Sequence, residues 1–283
     1  MTPQPLRSNP SLAEPDCPAH RLMMVLGYDG APFHGWQIQP GDRSVQEDVE
    51  NALRIALKTP LHIVGAGRTD TEVNARMMTA HFDVTEEVFA DRLATDEQRN
   101  AVLRTINALL RPSVAVWNIF EVEREAHARF DATLRTYRYY LHTVDDPFRA
   151  RRSRYFYQKL DFDLMNREAA ALKGTQDFTS FSKLHTDTAN NICTVTAAQW
   201  HCYAPGHYYF EISANRFLRN MVRAIVGTLV DIGTGRQQPG HIERVIKAQD
   251  RCAAGASMPG YALYLWDIAY PYPIPSPPQP DTL

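Results

Sequence analysis

Leu61-His62-Ile63-Val64-Gly65-Ala66-Gly67-Arg68-Thr69-Asp70-Thr71-Glu72-Val73-Asn74-Ala75 runs from a short apolar segment into a polar, small-residue turn, and a second strand-like run follows at residues 79–84. The two apolar runs read as strands flanking a loop whose stretch Gly67–Thr71 carries one carboxylate, Asp70. Arg68 offers that carboxylate a neighbouring positive charge, which suits a base or nucleophile, and Gly65, Ala66 and Gly67 would let a substrate backbone approach. Asp70 could equally cap a helix or close a turn, because a short acidic side chain does both.

Outward from this loop, strands alternate with helices. Residues 21–27 form a strand candidate, and residues 44–58 form a helix: Val45, Val49, Ala52, Leu53, Ala56 and Leu57 fall at helical spacing behind Ser44 and Glu47, a capping pair. Residues 98–110 predict a helix stopped by Pro112, and residues 114–122 a strand. The pattern then restarts, with a strand at 134–144, a helix at 160–173, and a hairpin of 193–201 with 208–214 turned at Pro205-Gly206. Helices at 217–231 and 241–253 and a strand at 262–270 complete it. This is an α+β chain in two mixed halves, 21–123 and 124–270. Residues 1–20 and 271–283 are Pro-rich, with little apolar periodicity, and are expected to be loosely packed tails.

With 44% apolar residues, 283 positions suffice for a substantial core. No apolar stretch approaches the ~20 residues of a membrane helix, and no signal-peptide layout opens the chain, so a soluble, cytoplasmic protein is expected. Cys17, Cys193, Cys202 and Cys252 form no C-x-x-C pair, and neither they nor the ten histidines have metal-ligand spacing. The net charge of -2 gives no global attraction for nucleic acid, but charge is segregated: residues 124–159 hold nine Lys/Arg against four Asp/Glu, whereas residues 86–99 hold five acids against two bases. A local basic surface can still steer an RNA, although a solvated face would look the same.

Alternation along 134–144 puts Arg135, Tyr137 and Tyr139 on one strand face, joined by Arg129 if the extended backbone reaches that far. Such a face can hold phosphates and stack a base, or be an ordinary aromatic ladder. In the helix from 217, Phe217, Leu218, Met221, Val222, Ile225, Val226, Leu229 and Val230 form an apolar stripe opposite Arg216, Arg219 and Arg223. Those arginines line either solvent or a charged cleft.

The Asp70 segment resembles the GRTDxGVHA signature of the tRNA pseudouridine synthase I family through Gly67-Arg68-Thr69-Asp70, Val73 and Ala75, followed by His81-Phe82. Further blocks agree in order: Tyr28-Asp29-Gly30 with Phe33-His34-Gly35-Trp36-Gln37; His127-Ala128-Arg129-Phe130 with Arg135, Tyr137 and Tyr139; Gly174-Thr175-Gln176-Asp177-Phe178; Asn215-Arg216-Phe217 with Arg223; and Pro259 with Leu263-Tyr264-Leu265. The resemblance spans about residues 22 to 270. It implies largely antiparallel sheets in two halves with the active-site cleft between them, and isomerisation of uridine to pseudouridine at positions 38 to 40 of the tRNA anticodon stem-loop, without cofactor or metal, by a homodimer.

By the same carry-over, Asp70 is the catalytic carboxylate, Tyr137 the stacking ring that also accepts the C5 proton, and Arg223 the basic partner of Asp70. Leu263 lines the uracil pocket, and Arg68 and Arg129 position RNA or order the loop. Glu72 and Asn74 depart from the family's Gly and His, as do Arg76, Met77, Met78 and Ala262 from its usual residues. If the turn needs a positive φ, Glu72 would be strained, and its charge would oppose phosphate. A catalytically impaired RNA-binding or RNA-chaperone protein is therefore the competing reading. A carboxylate nuclease is a third, which lacks a second acid or metal cluster spaced to help Asp70.

Overall fold

In the computed structural model, residues 19–183 and 190–278 are described. Residues 1–18 and 279–283 of the expected tails, Cys17 among them, lie outside the described residues. The element order is β1 (His20–Tyr28), α1 (Val45–Leu57), β2 (Val64–Gly65), β3 (Asn74–Val84), α2 (Glu86–Arg92), α3 (Asp96–Leu110), β4 (Val114–Val122), β5 (Leu134–His142), β6 (Arg154–Tyr155), α4 (Phe162–Ala169), β7 (Gly174–Asp177), β8 (Ile192–Ala204), β9 (His207–Ala214), α5 (Met221–Gly233), α6 (His241–Ala248) and β10 (Leu263–Ala269).

One mixed sheet runs through both halves in the order β4-β1-β3-β10-β5-β9-β8-β7, with β2 added to β3 and β6 to β5. Pairing is antiparallel except for β10 with β3 and β5 with β6. The seam is β10, which arrives last in the chain yet lies between β3 and β5, so the two halves share a strand. Its side chains divide accordingly. Leu265 and Ile268 belong to a core with β1, β3, α1 and α3, and Leu263 to a second core with Phe178, Phe181, Phe210 and α5.

The cap of α1 is the one read from sequence, whereas α3 starts at Asp96, two residues before the expected 98, behind a cap at Thr95. Ser44 accepts from the Glu47 backbone N–H at 3.2 Å, and Thr95 with Gln98 closes a full capping box on α3. Several expected bounds move. The helix expected from Phe217 starts at Met221, because Asn220 takes a left-handed φ of 67° and ends the preceding loop. The 160–173 helix is α-helical only over Phe162–Ala169 and tightens to a 3-10 turn at Ala170–Leu172. The strand before the Asp70 loop shrinks to two residues, while the one after it extends back to Asn74. The start of the tail expected from 271 is anchored, since Tyr272 donates to the Asp131 carboxylate at 3.0 Å, and just before it Tyr270 bonds both Thr79 and the Ala128 carbonyl. No helix among the described residues is long and apolar enough to cross a membrane. Cys193, Cys202 and Cys252 are free thiols.

Candidate active site

The loop between β2 and β3 is held from below by the segment after β1. Tyr28 bonds the Thr69 hydroxyl at 2.9 Å, the Trp36 N–H donates to the Thr69 carbonyl at 3.3 Å, and the Glu72 N–H to the Phe33 carbonyl at 3.2 Å. Gly35, at φ 99°, lies so close that a Cβ would stand 2.4 Å from the Thr69 oxygen, which is why a glycine is needed there. The first two of the three small residues named from sequence behave differently from expectation. Gly65 is filled by the Trp36 ring and Ala66 is buried, so only Gly67 offers open space.

Asp70, held at the lip of this loop, faces the start of α5. Arg223 Nη1 stands 3.3 Å from one carboxylate oxygen and Arg219 Nε 3.6 Å from the other. The partners are unequal, since the Arg223 side chain is 22% exposed and also donates to the Met258 carbonyl at 2.6 Å, whereas Arg219 is 57% exposed. A partly buried, twice-anchored guanidinium loses less entropy on pairing than an exposed one. Arg68, two residues before Asp70 in sequence, is exposed and makes no ion pair among the described residues. The positive charge beside Asp70 thus comes across the cleft, from the other half of the chain.

Tyr137 lies in the middle of β5, opposite Leu265 of β10, and packs edge-on against Phe217 with ring centroids 5.1 Å apart. Burial pushes its phenol up to about 12, the nearby Arg135 charge pulls it down, and Asp70 pushes it further up. Leu263 begins β10 and is buried opposite Tyr139. Asp70, Tyr137, Arg223 and Leu263 therefore belong to one neighbourhood, spread over β2–β3, β5, α5 and β10. Tyr139 does not join an RNA-facing surface, because it is wholly buried in the second core. Arg129 does not extend that face either: it is exposed, in a turn before β5, with its guanidinium over the Phe130 ring at 5.8 Å. The cation and aromatic layer of β5 lies on its opposite face, where Arg138 sits 4.0 Å from the Trp266 ring and 4.4 Å from Tyr209.

Sequence reasoning missed the part played by Arg135. Its Nη1 donates to the carbonyls of Ala132 (3.2 Å) and Asn215 (3.0 Å), and its Nη2 to those of Ala66 (3.0 Å) and Arg129 (2.8 Å). Four of its five N–H donors are thus spent on backbone, leaving no fork for a phosphate. These carbonyls belong to the Asp70 loop, the Arg129 turn and the segment leading to Arg219, so one side chain two residues from Tyr137 ties together the loops around the cleft. Residues 127–131 are held further by two histidines. His81 Nδ1 accepts from the Ala128 N–H at 3.1 Å, and His127 Nδ1 from the N–H groups of Arg129 and Phe130 at 3.1 and 3.2 Å. Burial pushes His81 down to about 4, with Arg21 and His127 adding to the effect.

The departures at 72 and 74 separate. Asn74 is buried, accepts from the Gly30 N–H at 2.9 Å and donates to the Tyr261 carbonyl at 2.8 Å, which joins the loop after β1 to the turn before β10. Glu72 has the left-handed φ of 63° that the turn demands, and its side chain is exposed. Met77, Met78 and Ala262 are core residues. No group of three or more His, Cys, Asp and Glu among the described residues could hold a metal ion.

The family model described as tRNA pseudouridine synthase matches residues 169–271. Curated relatives cover far more. A tRNA pseudouridine synthase A of Parabacteroides distasonis is 49% identical over 251 residues, 89% of this chain and 96% of the relative. The protein of that name from Bacteroides thetaiotaomicron is 46% identical over 254 residues, 89% and 91% of the two chains. The one from Bacillus subtilis is 36% identical over 254 residues, 88% and 99%.

Proposed function

This chain belongs to the tRNA pseudouridine synthase family, and from that premise we propose that it converts uridines at positions 38 to 40 of the tRNA anticodon stem-loop, with Asp70 as the catalytic carboxylate. The enzyme is an isomerase acting on tRNA uridine. The reaction breaks the C1'–N1 bond, turns the freed uracil, and joins C5 to C1'; the proton leaving C5 is matched by one gained at N1, so the equation balances without redox change or co-substrate. In this reading the enzyme works without cofactor, as a homodimer in the cytoplasm.

The observation that carries the reading is the carboxylate of Asp70 set between Arg223 and Arg219 at the junction of the two halves, beside Tyr137 and Leu263. A target uridine stacked in a stem must leave the stack to reach a carboxylate there. The extruded base would stack on Tyr137 and rest against Leu263; in this reading the neutral Tyr137 phenol takes the C5 proton only as it passes its own proton on, and so acts as a relay. The two guanidiniums orient the carboxylate toward the sugar. Arg68 and Arg129, both exposed, would engage RNA phosphates. The competing reading of an impaired RNA-binding protein has less support, because Asn74 is fully hydrogen-bonded in place and Glu72 directs its charge to solvent.

Tritium release from tRNA labelled at uridine C5 tests the proposal. The intact protein should release tritium and Asp70→Ala should release none while still binding tRNA. Equal release by both would remove Asp70 from the chemistry, no release by either would favour the binding-protein reading, and shortened RNA would favour a nuclease.

A further inference from the structure

Residues 147–159, between β5 and α4, combine two features that the catalytic cleft does not use. They hold Arg149, Arg151, Arg152, Arg154 and Lys159 with no acidic residue, and they expose rings: Phe148 is 90% exposed and Tyr157 80%. Rings interleaved with cations fit a polyanion with stackable bases.

The segment is built rather than loose. A 3-10 turn at Pro147–Arg149 is capped by Asp146, and β6 adds to the edge of β5. The Phe156 N–H donates to the His142 carbonyl at 2.8 Å, and Ser153 bonds the His142 ring at 2.9 Å. The segment is also joined to the cleft. Tyr264 donates to the Arg152 carbonyl at 3.2 Å, and Arg154 to the Tyr261 hydroxyl at 3.4 Å. Tyr261 belongs to the turn at Gly260–Ala262, where a Cβ on Gly260 would stand 2.3 Å from the carbonyl of Thr71, next to Asp70. A rigid path of two contacts thus connects the arm to the catalytic loop.

We propose that residues 147–159 form a second tRNA-binding surface beside the catalytic cleft, in which Arg151 and Arg152 take backbone phosphates and Phe148 and Tyr157 stack on unpaired bases of the same tRNA. The inference rests on tRNA being the substrate. A second copy of this chain is the weaker occupant: protein interfaces are depleted of charge at their centres, and a two-fold contact of this arm with itself would set five cations against five.

The test uses the full chain and full-length tRNA, with binding followed by fluorescence anisotropy across a salt series and turnover by tritium release. All four substituted side chains are exposed, so folding should be preserved. Arg151→Ala with Arg152→Ala should flatten the slope of log affinity against log salt by about two, because each phosphate contact contributes roughly one. Phe148→Ala with Tyr157→Ala should weaken binding about tenfold and leave that slope alone. Both pairs should raise KM and leave kcat at saturating tRNA unchanged. Unchanged affinity and slope in both pairs would overturn the inference, as would a shift of oligomeric state in sedimentation with affinity intact. If the intact protein releases no tritium, the catalytic reading fails; if it does and the arm variants bind normally, only the arm fails.

Discussion

The two sides of the Asp70–Arg223 pair are built in opposite ways. The carboxylate stands on a loop, 23% exposed, fixed by backbone hydrogen bonds to the segment after β1 and by one residue at positive φ. The guanidinium stands on the first turn of α5, a helix with eleven of its thirteen residues buried, and it is clamped to the Met258 carbonyl. A loop held by its backbone tolerates changes of side chain; a helix packed all round does not. Changes on the loop side should therefore alter chemistry with little effect on stability, and changes on the helix side should alter both.

Arg223→Met is the strongest challenge to that contrast. It removes the nearer partner of Asp70 and leaves the Met258 carbonyl unpaired, so turnover should fall by about 100-fold or more and stability by about 1 to 3 kcal/mol. Tritium release and urea denaturation measure the two losses. If only turnover falls, the helix side is as tolerant as the loop side and the contrast is broken; if turnover holds within a few-fold, Arg219 suffices to orient Asp70.

Arg135→Met asks whether the loop side has a stability anchor of its own. Four carbonyls from three segments lose their donor, and the expected cost is about 2 to 4 kcal/mol. A loss well below ~1 kcal/mol would mean that water replaces the guanidinium without penalty.

How much was legible from sequence follows the same division. Strand β4 and the cap of α1 were readable because period and capping chemistry are local. The Asp70–Arg223 pair is 153 residues apart in sequence, and only resemblance pointed to it. Helix α2 was not anticipated, since Glu86–Arg92 buries no residue and its acids read as charge alone. The role of Arg135 was illegible for a different reason: its partners are backbone carbonyls, which leave no mark on residue identity. The seam position of β10 depends on a parallel pairing with β3 that no local pattern encodes.

The histidine-held turn at 127–131 gives a smaller effect, set by pH. His81 is lowered from 6.5 to about 4, so its neutral form is the one that folding favours. Its contribution is fully present above pH 6.5 and is lost progressively as pH falls toward 4, reaching about 2 kcal/mol by pH 5. Protonating Nδ1 also sets two donors against each other at the Ala128 N–H. His81→Asn should flatten the stability profile between pH 6.5 and 4 relative to the parent protein, measured by denaturation at each pH. Parallel profiles would place the acid sensitivity elsewhere.

The smallest effect is the sharpest, because it isolates one dihedral angle on the loop side. Glu72 holds φ at 63°, where an L-residue is strained by about 1 kcal/mol and glycine is not, though glycine gives back part of that through the entropy of the unfolded chain. Glu72→Gly should raise stability by about 0.5 kcal/mol, and Glu72→Ala, which also removes the charge, should not. If turnover rises equally in both, the carboxylate was repelling RNA phosphate; if it rises in neither, the loop positions Asp70 whatever side chain occupies the strained position. A gain in stability from alanine as well as glycine would show that charge, not backbone, is what this turn resists.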